Sequence, residues 1–398
     1  MQKKLALDSE ITSKIQLDEI TKLAQKLIRI PSDEQSGEQE ICEYLSDILK
    51  SLGMNVRIQQ ISSRRANVIA EISKGNNKKS IMFNGHLDTV PIGDINKWKL
   101  DPLGGIIKGK KLYGRGSTDM KGAIASMIIA IKNIIKYQND FSGKIIFTGV
   151  MGEETTGLGT QKIIEDKISA DMAIVGEPSD GNIYRAHKGT MWFNITTYGK
   201  LGHSSESNSK SNNAIINMTK IIREIEKISK ELEKKENKLL GHPSINIGLI
   251  KGGTKQNMIP DSCTASIDRR TLPNEKPKEI ILQLNRRLNR LYNQDNRLKF
   301  SIKQKVVREA VEISESEPII QELKKSIMKV CKKEPIISGM KATTDMSILV
   351  NQGKIPSVIY GPGFLKQAHT IDEFIKIDTL LEASKVYATL ITKTLTNK

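Results

Sequence analysis

Aromatic residues make up only 4% of this 398-residue chain, so its cores have to be built from Ile, Leu and Val. Hydrophobic residues reach 38%, enough for substantial cores. The length exceeds that of a usual single domain, so two domains are expected. Cysteine is scarce too: Cys42, Cys263 and Cys331 are odd in number and far apart. That pattern argues against a disulfide framework or a zinc knuckle and suits a reducing cytoplasm. No run approaches the roughly 18 apolar residues of a membrane helix. The opening MQKKLALDSEITSK has no apolar stretch followed by a small-residue cleavage site, so no secretory leader is expected. A GxxxxGK[ST] phosphate loop is absent as well.

Charge is plentiful and lopsided, with a formal net charge of +17. Such a balance can signal a nucleic-acid partner. Here the lysines are spread along the chain and mixed with Glu, as in EKISKELEKKENK. No long basic block or aromatic stacking pattern accompanies them. The charge is read as a solvated surface, with neither nucleic acid nor membrane as partner.

Helical spacing covers 16–30 and 36–53, with Gly53 as a stop. Short β-branched runs follow near 55–61, 67–73 and 80–84. A helix is predicted from about Lys121 to 137, strands at 144–151 and 171–175, a helix at 317–332, a strand at 356–360 and a closing helix at 377–395. Alternating strands and helices predict an α/β fold: a central, mostly parallel mixed sheet flanked by helices. The segment 185–303 reads differently, as a βαββαβ unit inserted between two halves of the first domain, 1–184 and 304–398.

Five short segments carry metal-type donors: FNGHLDTVP has His86 and Asp88, YGRGSTDMKG has Asp119, GVMGEETTG has Glu153 and Glu154, VGEPSD has Glu177, and GPGFLKQAHTIDE has His369. All but the Asp119 segment follow a predicted apolar strand, and Asp119 precedes a predicted helix. In a parallel sheet, ligands bind outside the carboxyl ends of the strands, so these residues should converge on one rim. Two imidazoles and three carboxylates suffice for two zinc ions if one carboxylate bridges. Paired ions activate a water, and a neighbouring carboxylate must move its proton. Adjacent Glu153 and Glu154, pointing opposite ways in an extended segment, can divide metal binding and base catalysis. Asp88 is the candidate for orienting His86. The chemistry this predicts is hydrolysis of an amide by an activated water.

These segments closely resemble the zinc peptidase and deacylase family of acetylornithine deacetylase, succinyl-diaminopimelate desuccinylase, aminoacylase and the glutamate-releasing carboxypeptidase, over about residues 18–393. The resemblance implies His86, Asp119, Glu154, Glu177 and His369 as ligands of two divalent ions, zinc first and cobalt or manganese as substitutes. It implies a bridging role and a cis peptide for Asp119, and Glu153 as general base supported by Asp88. Glu at position 177 goes with deacylases and carboxypeptidases, so a substrate with a free α-carboxylate is implied: an N-acyl amino acid, or alternatively a dipeptide. The inserted unit corresponds to a lid that also forms a homodimer interface. His203 is implied as oxyanion donor, and Arg270, Asn257, Lys188 and Thr344 as substrate-binding residues. Two departures stand out: the loop after His203 is one residue longer than the family's, and Lys341 in GMKATTDMS stands near a place that is often Gly.

Overall fold

The structure, a computed structural model, describes residues 11–138, 141–208 and 211–396. Most of the opening segment from which a missing leader was read therefore lies outside the described residues, as do 209 and 210 of the loop after His203. The chain divides into two compact units. The first comprises Met1–Arg185, Ile313–Gly339 and Thr344–Lys398, and the second Ala186–Glu312 and Met340–Thr343.

The first unit is built on a mixed sheet. Its strands run in the order Asn55–Ser62, Arg65–Lys74, Gly143–Val150, Ser80–His86, Met172–Val175, Ser357–Ile359 and Ile183–His187. The central four are parallel, and the outer pairings are antiparallel. Parallel strands are buried on both faces and read as continuous apolar runs. Accordingly Ser80–His86 is buried at every position after the first.

Helices flank the sheet. Leu17–Arg29 buries Ile20, Leu23, Ala24, Leu27 and Ile28, the spacing of a single helical stripe. Gly122–Tyr137 and Ile377–Leu395 are apolar over most of their circumference and pack on each other. A small antiparallel sheet, Phe374–Lys376 with Lys111–Tyr113 and Ile106–Lys108, escaped the sequence reading because three residues are too few to show a period.

The second unit is a four-stranded antiparallel sheet in the order Ser244–Gly252, Ser262–Thr271, Gly189–Tyr198 and Lys299–Arg308. Strand Ser262–Thr271 alternates strictly, burying Cys263, Ala265, Ile267, Arg269 and Thr271. Helices Ala214–Leu232 and Pro277–Gln294 close a core that contains Met191, Phe193, Met218, Ile221, Leu284 and Leu288. Asn213 starts the first helix by accepting from the amides of Ile215 and Ile216 at 2.9 and 3.2 Å.

Phe83 lies fully buried at the centre of the parallel sheet, edge-on to Tyr387 with ring centroids 5.5 Å apart. Phe83→Ala is expected to cost about 3–5 kcal/mol of stability. The check is the denaturant midpoint against wild type, and a loss below about 1 kcal/mol would mean that the surroundings collapse to refill the space.

Candidate metal centre

Three adjacent parallel strands deliver their carboxyl ends to one place. His86 is the last residue of Ser80–His86 and pairs in register with Val150, the last residue of Gly143–Val150. Glu177 comes two residues after Met172–Val175, whose Val175 pairs with Asn84. Asp119 sits in a tight turn, Ser117–Lys121, that feeds helix Gly122–Tyr137, and the Asp119–Met120 peptide is cis. The neighbouring Met120 fills space left by two glycines. A Cβ at Gly85 would stand 2.7 Å from Met120 Cε, and one at Gly176 2.6 Å from it. The His86 amide donates to Met120 Sδ at 3.3 Å. Close approach at Gly85 and Gly176 thus seats the turn that carries Asp119 against the strand ends.

The donors converge. His86 Nε2 lies 2.9 Å from Asp119 Oδ1 and 3.8 Å from Glu177 Oε1. His369 Nε2 lies 3.0 Å from Glu154 Oε1 and 3.4 Å from Asp119 Oδ2. Asp119 therefore stands between two imidazoles with one oxygen towards each. His86, Glu153 and Glu177 bring donor atoms within 4.8 Å of one another, and so do His86, Asp119 and Glu154. His86, Asp119, Glu153 and Glu177 are buried, whereas the His369 side chain is half exposed. All six residues read from the five segments as ligands or base thus meet at one site.

Two local expectations change. Asp88 reaches His86 mainly through its carbonyl, 2.9 Å from Nδ1, with the carboxylate farther off at 3.7 Å. The carboxylate instead accepts from the amides of Glu153 and Glu154 at 3.1 and 3.0 Å. Glu153 and Glu154 lie in a turn, not an extended segment. Gly152 starts it with φ +70°, and its carbonyl accepts from Thr156 and Gly157 at 3.0 and 2.7 Å. The turn places both carboxylates on the cluster, where an extended strand would have separated them.

Charge is concentrated here. Burial, and next the Asp119 charge, push the Glu154 carboxyl up to about 7. The same two causes raise Glu177 well above the ordinary carboxylate range. Burial works on Asp119 in the same direction, yet hydrogen bonds from His369 and His86 outweigh it and hold Asp119 below its usual value. Hydrogen bonds from Asp119 and Glu154 raise His369 to about 10. A buried anionic cluster with two imidazoles is the donor set that divalent ions take, so the residues present fit such ions.

Thr344 is buried in the first unit and engaged locally, its hydroxyl accepting from the Met346 amide at 3.2 Å at the start of helix Met346–Asn351. In the second unit, His203 Nδ1 is 2.7 Å from Ser205 Oγ, and the Ser204 amide donates to the Asn257 carbonyl at 3.0 Å. Arg270 donates to Thr190 Oγ1 at 2.7 Å and Asp268 Oδ2 at 3.0 Å. Thr343 links Lys188 to this group, its hydroxyl 2.8 Å from the Lys188 carbonyl and 2.6 Å from Thr190 Oγ1.

In the first unit, two ion pairs with a fully buried carboxylate were missed from sequence. Arg65 grips Glu38 with two hydrogen bonds of 2.7 and 2.8 Å. Arg115 pairs with Glu373 at 2.7 Å. The second had a signal, since both residues stand inside segments singled out for Asp119 and His369. The first had none.

Imidazoles and carboxylates gathered at the carboxyl ends of a parallel α/β sheet define a metal-dependent hydrolase. The chain belongs to peptidase family M20/M25/M40, whose profile matches residues 82–393. It is 29% identical to a probable succinyl-diaminopimelate desuccinylase of Staphylococcus epidermidis, over 93% of this chain and 96% of that one. It is also 29% identical to the N-formyl-4-amino-5-aminomethyl-2-methylpyrimidine deformylase of Bacillus subtilis, over 93% of each. Its fold matches that of an M20 family metallo-carboxypeptidase from Sulfolobus solfataricus with a TM-score of 0.80 at 23% identity, covering 94% of this chain and 98% of the other. No helix among the described residues is long and apolar enough to cross a membrane.

Asp88→Ala removes the acceptor shared by the Glu153 and Glu154 amides. Loss of such a supporting contact is expected to lower kcat/KM about 10–100-fold. Steady-state kinetics with metal-saturated enzyme checks this, and an unchanged kcat/KM would show that the turn holds itself.

Proposed function

We propose that this chain is a di-zinc amidohydrolase that cleaves the amide of an N-acyl amino acid, or a related small substrate with a free carboxylate beside the scissile bond. The observation that carries the reading is Asp119, with one oxygen towards His86 and the other towards His369. That is the disposition of a carboxylate able to bridge two ions. His86 and Glu177 would complete one site, and His369 and Glu154 the other. When bound, the ions would acidify a shared water and polarise the substrate carbonyl.

Glu153 is the general base. It takes a proton from the attacking water and returns it to the leaving nitrogen. Its neighbour Glu154 lies 3.0 Å from His369, and the division of roles between the two follows the family's motif. Asp88 holds the turn that carries both. Arg270, Asn257 and Lys188 take the substrate carboxylate, and His203 donates to the carbonyl oxygen as negative charge develops there. Thr344 borders the acyl side. These last assignments rest on the family's motifs, as does zinc over cobalt or manganese.

The second unit is also assigned the homodimer contact. Its edge strand Ser244–Gly252 exposes Leu249 and Ile250, at 72% and 55%. An apolar edge strand is a template for pairing with another chain. The three unpaired cysteines suit a reducing, cytoplasmic setting.

Three measurements test the reading. Chelation should abolish hydrolysis, and zinc, cobalt or manganese should restore it. Glu153→Ala should lower kcat about 10²–10⁴-fold with both metals retained, whereas Glu154→Ala should lose metal; loss of metal in Glu153→Ala with retention in Glu154→Ala would reverse their roles. On a panel of N-acetyl and N-succinyl amino acids and dipeptides, faster turnover of dipeptides than of every acyl amino acid would make the chain a dipeptidase or carboxypeptidase instead. For the dimer, Leu249→Lys with Ile250→Lys should yield monomers in sedimentation velocity, and an unaltered dimer would place the contact elsewhere.

A further inference from the structure

Glu373 has no route to the donor cluster as a ligand, because its carboxylate is fully buried and spent on other partners. Oε1 accepts from the amides of Thr118 and Asp119 at 2.9 and 3.2 Å. Oε2 accepts from Arg115 Nη1 at 2.7 Å and from the Gly116 amide at 3.2 Å. One of those donors is the backbone of Asp119 itself. The Glu373 carbonyl accepts in turn from Gly114 at 3.0 Å, and Thr118 Oγ1 donates to the Phe374 carbonyl at 2.7 Å.

Arg115 extends the same junction. It is 4% exposed and stacks over Trp98, with Cζ 5.2 Å from the ring centroid. Besides Glu373 it donates to the Thr370 carbonyl at 3.2 Å and the Pro91 carbonyl at 3.3 Å. Pro91 lies five residues after His86, and Thr370 directly follows His369. Three segments bearing cluster residues, 86–91, 114–119 and 369–374, are therefore fastened to one buried ion pair. A buried ion pair is weak grounds for stability, because desolvation offsets the attraction. Registry between segments is its best-attested use.

We propose that Arg115 and Glu373 form a positioning pair that sets the spacing of Asp119, His369 and His86, and so the affinity of the site for paired divalent ions. It touches neither substrate nor reacting atoms. Its contribution is to hold the Asp119 turn and the His369 loop in one register, so that the two imidazoles face opposite oxygens of Asp119. This rests on the metal-site reading above.

The test compares wild type, Glu373→Gln, Arg115→Lys and the charge-free double variant Arg115→Met with Glu373→Leu. Zinc dissociation constants are measured by competition with a chromogenic chelator, alongside thermal melting of the metal-free proteins and kcat and KM after metal saturation. Glu373→Gln and the double variant are expected to bind zinc about 10–100-fold more weakly, with kcat falling more than KM changes. Arg115→Lys, which keeps the charge, should recover part of the affinity. The double variant leaves no buried charge unpaired but strips the Gly116, Thr118 and Asp119 amides of their acceptor, so it should melt below wild type, and its zinc affinity is read at a temperature where it is folded. Zinc affinities within two-fold of wild type in Glu373→Gln and the double variant would overturn the positioning role. Failure of wild type itself to bind zinc, cobalt or manganese would overturn the metal reading and this inference with it.

Discussion

Five carboxylates, those of Asp88, Asp119, Glu153, Glu154 and Glu177, are gathered at the carboxyl edge of one sheet, and the rest of the first unit is arranged to make that tolerable. Two like charges 4 Å apart repel by about 4 kcal/mol at the effective dielectric of a protein. Such a group survives only with compensation on every side. His86 and His369 supply part of it directly to Asp119. Backbone amides supply another part, two to Asp88 from the Glu153–Glu154 turn. Burial, and next the Asp119 charge, still raise the Glu154 and Glu177 carboxyls, and a divalent ion offsets both without needing a proton.

The fold meets this constraint by dividing the cluster among segments that could not meet without the sheet. Parallel pairing aligns the ends of Gly143–Val150, Ser80–His86 and Met172–Val175, so three donor segments arrive side by side. Glycines at 85 and 176 let Met120 pack against those ends and bring Asp119 with it. His369 lies 250 residues beyond Asp119. No single element could fix that distance, which is why a buried junction between the two loops carries the register. Arg115 and Glu373, both buried, make that junction by joining the segments that carry Asp119 and His369.

Much of this arrangement was legible in the chain because each level used a strong pattern. The parallel strands are unbroken apolar runs such as SIMFNG, and the second unit alternates along SCTASIDRRT. Donor residues right after such runs predicted a common rim. What escaped were features without a period or a motif. The Glu153–Glu154 turn depends on a left-handed Gly152, and one glycine cannot announce a turn against a strong preceding strand. Asp88 looked like a carboxylate partner for His86 on spacing alone, whereas two backbone amides compete more effectively for its oxygens. The Arg65–Glu38 pair joins the start of a strand to the start of a helix 27 residues away, and nothing local marks it.

The second unit poses the complementary electrostatic problem. Lys188 is buried, and its ammonium donates to the His242 carbonyl. Burial, then Lys341, Arg270 and Arg269, weaken its hold on a proton. Arg269 is neutralised by Glu275, and Arg270 is shared between Asp268 and Thr190. Lys188 and Lys341 have no carboxylate within ion-pair reach among the described residues. Positive charge is thus in surplus around Thr190 and Thr343, just as negative charge is in surplus at the strand ends.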